Sequence, residues 1–107
     1  MSDEYQIEIP PSFTALYTDA RRRLTVKLPE LRQRYDLCED TAQQLVEPGR
    51  HIHFDLGLTQ DEVIDRLHAG LVGSESGLRE DEAVWVIKRM AELLDWTLPG
   101  DARFASA

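Results

Sequence analysis

Three imidazoles, His51, His53 and His68, are the side chains in this sequence best suited to hold a metal ion. Alternate residues of an extended segment share a face, so an extended 51–57 would project His51, His53 and Asp55 to one side. His68 could then supply a third imidazole of the kind zinc uses. Nothing in the spacing brings His68 to the other two, and the plainer reading makes His51 and His53 solvated residues of a connection. That connection is either a turn or a last short piece of helix, with Gly57 available as a left-handed cap.

Other chemistries find less support. A nucleotide-hydrolysing loop needs glycines whose neighbouring N–H groups approach phosphate, followed by lysine and a hydroxyl. The two lysines, Lys27 and Lys88, follow no such turn. Nucleophilic catalysis needs an activated Ser, Thr or Cys beside a base; no Gly-x-Ser-x-Gly occurs, and Cys38 falls on an apolar helical stripe, where a free thiol packs as a small hydrophobe. Carboxylate neighbours such as Asp61 with Asp65 and Asp81 with Glu82 are unavoidable among 20 acids, and solvated helix faces account for them. No catalytic residue and no cofactor are expected.

Two features point instead to contact with another molecule. Arg21, Arg22, Arg23, Lys27, Arg32 and Arg34 form a basic island of net +5 over residues 21–34, while the rest of the chain carries −13 for a total of −8. Such an island meets acidic groups, of this chain or of a protein partner. The acidic background, and the lack of an aromatic between Arg21 and Arg34 to stack a base, disfavour nucleic acid. The second feature is Trp85, about 200° round a helix from Ala83 and outside the apolar arc. A large aromatic there needs cover, from Tyr5-Ile7-Ile9, from Leu98-Pro99, or from a partner that would also meet Arg89 and Trp96.

The elements that must position these residues are mostly helical. Leu31, Tyr35, Cys38, Ala42 and Leu45 step by four, three, four and three residues along one face, with Pro29 in the first turn. Pro48-Gly49 is expected to break that helix, since proline removes a hydrogen bond and clashes with the preceding turn. Thr59-Gln60-Asp61-Glu62 reads as a capping box opening a helix with Val63, Ile64, Leu67 and Leu71 inward. Gly70 to Gly77 should end it as a loop. A further helix from about Arg79 to Asp95 has Ala83, Val84, Val86, Ile87, Met90, Ala91, Leu93 and Leu94 over half its circumference, which implies a central position.

Upstream, Pro11 or Ser12 opens a short helix with Phe13, Leu16, Tyr17 and Ala20 on one side. Leu24-Thr25-Val26-Lys27-Leu28 then alternates like a linker or an edge strand. The expected architecture is all-α: one compact domain of four helices over 1–107, with an extended arm at 1–10 and an irregular tail at 97–107. At 107 residues there is no room for a second large core. One cysteine and the acidic opening Met1-Ser2-Asp3-Glu4 fit a reducing compartment, and cytoplasm is the expected location. No apolar run is long enough to span a membrane. A monomer or homodimer is expected.

Four stretches carry a resemblance: Tyr5-Gln6-Ile7-Glu8-Ile9-Pro10-Pro11-Ser12-Phe13, Arg34-Tyr35-Asp36-Leu37-Cys38-Glu39-Asp40, Leu67-His68-Ala69-Gly70-Leu71, and Glu82-Ala83-Val84-Trp85-Val86-Ile87 through Glu92-Leu93-Leu94-Asp95-Trp96. With these the chain resembles a family of small, uncharacterised proteobacterial proteins of about this length, some of which carry the name "ATPase with chaperone activity". The resemblance supplies no catalytic residues. Without a phosphate-binding loop, it implies association with a chaperone ATPase rather than ATP hydrolysis. In such relatives helix is expected to continue where this chain has Pro48-Gly49.

Overall fold

The computed structural model describes residues 9–73 and 76–98. The chain is all-α. Its elements are α1 (Pro11–Thr14), which tightens into a 3-10 turn at Ala15–Tyr17, then α2 (Leu28–Phe54), α3 (Gln60–Gly73) and α4 (Glu80–Leu94). The chain divides into two compact units, Met1–Asp36 and Leu37–Ala107, with the division inside α2. Of the expected arm at 1–10 and tail at 97–107, residues 1–8 and 99–107 lie outside the described residues. No helix among the described residues is long and apolar enough to cross a membrane.

In the first unit, Pro11 occupies the opening turn of α1, where its missing N–H costs nothing. The helix is shorter than its apolar spacing suggests, and Ala20 lies in a turn beyond it. Phe13, Tyr17 and Leu31 are buried, and the Phe13 ring meets Tyr17 at 5.8 Å and Tyr35 edge-on at 5.5 Å. The alternation at 24–28 does not make a strand. Among the described residues its one ladder contact is an isolated antiparallel bridge between Thr18 and Leu24, and Leu28 already belongs to α2.

The largest departure from expectation is α2, which runs through Pro48. Pro48 is on the exposed side, where a lost intrahelical hydrogen bond can be replaced by water, whereas Gly49 is buried. A Cβ added at Gly49 would lie 3.5 Å from Leu94 Cδ1 and 3.6 Å from both Leu67 Cδ1 and Met90 Sδ. Gly49 is thus where α2 meets α3 and α4. It also continues the stripe of Cys38, Ala42 and Leu45 by another four-residue step.

In the second unit, Ile64, Ile87 and Met90 form a buried cluster, surrounded by Leu45, Val46, Leu67, Leu71, Val84, Leu94, Trp96 and Leu98. The capping box of α3 is present: Thr59 N–H donates to Glu62 Oε1 (2.8 Å) and Glu62 N–H to Thr59 Oγ1 (3.1 Å). The Thr59 backbone and hydroxyl contacts, together with the Arg66 charge, outweigh slight desolvation and hold the Glu62 carboxyl below its ordinary range. Helix α3 continues past Gly70 to Gly73 rather than ending there. Helix α4 ends at Asp95, whose φ of 59° is left-handed, with Asp95 N–H on Glu92 O (3.1 Å) and Trp96 N–H on Ala91 O (2.8 Å). This is the paired closure usually built around glycine, and it turns Trp96 back toward the apolar cluster.

Candidate protein-interaction surface

The three histidines are not brought together among the described residues. Because α2 extends to Phe54, His51 and His53 are two residues apart on a helix and diverge by about 200°, the opposite of the shared face an extended segment would give. His51 Nδ1 pairs with Asp55 Oδ2 at 2.6 Å on the exposed side, beside a shallow depression lined by Glu47, Arg50, His51, Phe54 and Asp55. His53 Nδ1 donates to the Leu58 carbonyl at 2.7 Å, and its ring meets Trp96 edge-on at 5.2 Å. It therefore fastens the α2–α3 connection, where Gly57 adopts the expected left-handed conformation with φ of 76°. His68 is half-buried on α3. Among the described residues no three His, Cys, Asp or Glu side chains are grouped to hold a metal ion.

The surface expected around Trp85 is largely used up within the chain. Trp85 is only 7% exposed, and α4 also buries Glu82, Ala83, Val86, Ile87, Met90 and Ala91. The helix is enclosed well beyond its apolar arc. Glu82, fully buried, accepts the Arg79 N–H on Oε1 at 3.0 Å. Arg89 is held across to α2, with Nε 2.9 Å from Glu39 Oε1 and Nη2 3.2 Å from Glu39 Oε2, while Nη1 reaches Glu92 Oε1 at 3.0 Å. Burial pushes the Glu39 carboxyl up, but hydrogen bonds from Arg89 and Gln43 and the Arg89 charge together leave it below its ordinary value. The same contacts, Glu39 first and Glu92 second, raise Arg89. Trp96 is half-buried against His53 and the core cluster.

The basic island divides. Arg32 and Arg34 are half-buried on α2, whereas Arg21, Arg22, Arg23 and Lys27 are exposed. The three consecutive arginines crown a tight loop whose base rests on buried Tyr17. The Tyr17 carbonyl accepts the Thr25 N–H (2.7 Å) and hydroxyl (3.2 Å), and the Thr18–Leu24 bridge closes the neck. Asp19 organises the tip. Its Oδ1 accepts the N–H groups of Arg21 (2.8 Å) and Arg23 (2.9 Å), its own N–H donates to Arg23 O (2.9 Å), and Oδ2 lies 3.6 Å from Arg23 Nε.

This arrangement commits Asp19 to the backbone of the loop. Among the described residues, the Arg21 and Arg22 guanidinium groups have no carboxylate partner of their own. Arg22 has a φ of 65°, a left-handed conformation that glycine adopts freely and arginine does not. Leu24 (42%) and Leu28 (52%) are exposed below the tip. Sequence spacing identified the arginines but gave Asp19 and the two leucines no role. The available signal was the Asp19-x-Arg21 sequence entering a turn, where an aspartate oxygen commonly takes the N–H two residues on.

No family model, curated protein or solved structure matches the chain.

Proposed function

We propose that this chain is a cytoplasmic, non-enzymatic protein-interaction domain, and that its contact surface is the arginine loop at residues 21–23 with the adjoining Lys27. The observation that carries this reading is the loop itself. Buried Tyr17 and the bridged neck carry three exposed arginines, and among the described residues Asp19, which accepts two backbone N–H groups of the loop and lies 3.6 Å from Arg23 Nε, is the carboxylate paired with them. The Arg21 and Arg22 charges, with no ion-pair partner among the described residues, are available to a partner's acids, whereas Arg89 is satisfied within the chain. The resemblance to proteins named for chaperone activity makes a chaperone ATPase the first partner to examine.

The test is affinity capture from a proteobacterial lysate, using the full chain and a variant with Arg21, Arg22 and Arg23 replaced by Glu. A partner held by the full chain, released by moderate salt and lost in a variant that melts normally supports the reading. Capture that is indifferent to the three replacements overturns it.

A further inference from the structure

Resting on that reading, we infer that the loop's occupant is a polypeptide segment in which carboxylates alternate with apolar side chains, rather than a phosphate chain. Guanidinium groups suit both kinds of anion, since each can be bound through two parallel N–H bonds. The surroundings separate the two. Leu24 and Leu28 are exposed within a few residues of Arg21 and Arg22, and Lys27 lies between them in sequence. Cations and apolar side chains are therefore interleaved over residues 21–28. A phosphate backbone would satisfy the cations and leave both leucines in water; a segment bearing Glu or Asp beside Leu or Phe would cover both.

Long-range charge agrees. The chain as a whole carries −8, which opposes a long polyanion more than a short acidic segment. No aromatic lies between Arg21 and Arg34 to stack a base, which removes the contact that makes single-stranded nucleic acid adhere without sequence preference.

The experiment is a fluorescence-anisotropy titration of the full chain against three labelled probes of equal charge. These are a peptide alternating glutamate and leucine, the same peptide with serine for every leucine, and oligothymidylate. The glutamate–leucine peptide should bind about tenfold tighter than the glutamate–serine peptide, the factor expected when one leucine's worth of apolar surface is covered. Oligothymidylate should bind weakest. Replacing both exposed leucines, Leu24→Ser with Leu28→Ser, should bring the first peptide to the level of the second. Replacing Arg21 and Arg22 by Ala should abolish both, with unchanged melting.

Tighter binding of oligothymidylate than of either peptide overturns the inference in favour of phosphate. Equal affinity for the two peptides overturns its apolar half. If no probe binds while capture from lysate still depends on Arg21 to Arg23, the acidic–apolar occupant is wrong and the interaction reading stands. If capture is also indifferent to those arginines, both fall.

Discussion

Replacing Gly49 by alanine should stabilise this protein, because the helix that the sequence predicts to stop at Pro48 instead continues and buries Gly49. The position is helical, and its φ is not among the positive values found at Gly57 and Gly77. An added Cβ would sit 3.5–3.6 Å from Leu94, Leu67 and Met90, which is ordinary van der Waals contact, so nothing must move. Alanine is favoured over glycine inside a helix by about 1 kcal/mol, and a newly buried methyl contributes up to ~0.8 kcal/mol. Together these give roughly 1–2 kcal/mol, or a rise in Tm of about 5–10 °C for a domain of this size. Circular-dichroism melting and urea unfolding measure it, with an unchanged denaturant slope showing that stability alone has altered. Gly49→Leu should do the reverse, since three neighbours already in contact with a Cβ leave no room for a branched side chain. If Gly49→Ala melts at or below the unsubstituted chain and Gly49→Leu is neutral, then α2 does not pass beside Leu67, Met90 and Leu94, and the helix breaks at Pro48 as local propensity suggests.

Four other substitutions probe the remaining claims. Glu39→Gln should cost about 0.5–1 kcal/mol at neutral pH, a partly exposed ion pair being worth no more. Because folding lowers the Glu39 pKa, its contribution is present above the ordinary glutamate range and is lost as pH falls through the folded value. The difference in Tm between the two proteins should therefore shrink on acidification, and a constant difference would refute an ionic origin. Trp85→Ala should cost roughly 3–5 kcal/mol in urea unfolding, the range for a buried aromatic, whereas a change below about 1 kcal/mol would return Trp85 to the surface. Thr59→Ala should cost about 1 kcal/mol by removing the oxygen that accepts the Glu62 N–H, seen as earlier melting and faster amide exchange at the start of α3. Arg22→Gly should raise stability by about 1 kcal/mol while weakening capture of a partner, and a loss of stability would show that the Arg22 side chain serves the fold.

Much of the helical architecture is legible in the sequence where local chemistry and periodicity agree. Leu31, Cys38 and Ala42 step along one face and are buried, and Thr59 and Glu62 cap each other as their spacing requires. At Pro48-Gly49 the two signals conflict. Proline disfavours helix by local geometry, yet the stripe from Ala42 and Leu45 through Gly49 keeps its spacing, and tertiary packing at Gly49 decides the outcome. At Trp85 the sequence shows the need for cover without its source: a helical wheel finds one apolar face, while α4 buries Glu82 and Trp85 as well, and enclosure on the further sides leaves no periodic trace. The Arg89–Glu39 bridge joins residues fifty apart and is equally invisible. For His51 and His53 the sequence leaves turn and helix open, and because α2 continues through Pro48 the face they would share in an extended segment is divided.

Arg22 connects the stability of the loop to its use. A turn needing one left-handed residue is most easily made with glycine, and among the described residues the chain places glycine at two such positions, Gly57 and Gly77, and at a third Asp95, a residue type that tolerates the conformation. At the centre of three consecutive arginines it places a third cation instead, accepting both backbone strain and repulsion between like charges on adjacent residues. Asp19 offsets part of that cost through its hydrogen bonds to the Arg21 and Arg23 N–H groups, but these would form equally with glycine at position 22. Nothing in the turn's own geometry calls for a guanidinium there. A use for that charge outside the loop is what the proposed docking surface would supply, and Arg22→Gly separates it from a purely structural turn by relieving the backbone while removing the contact.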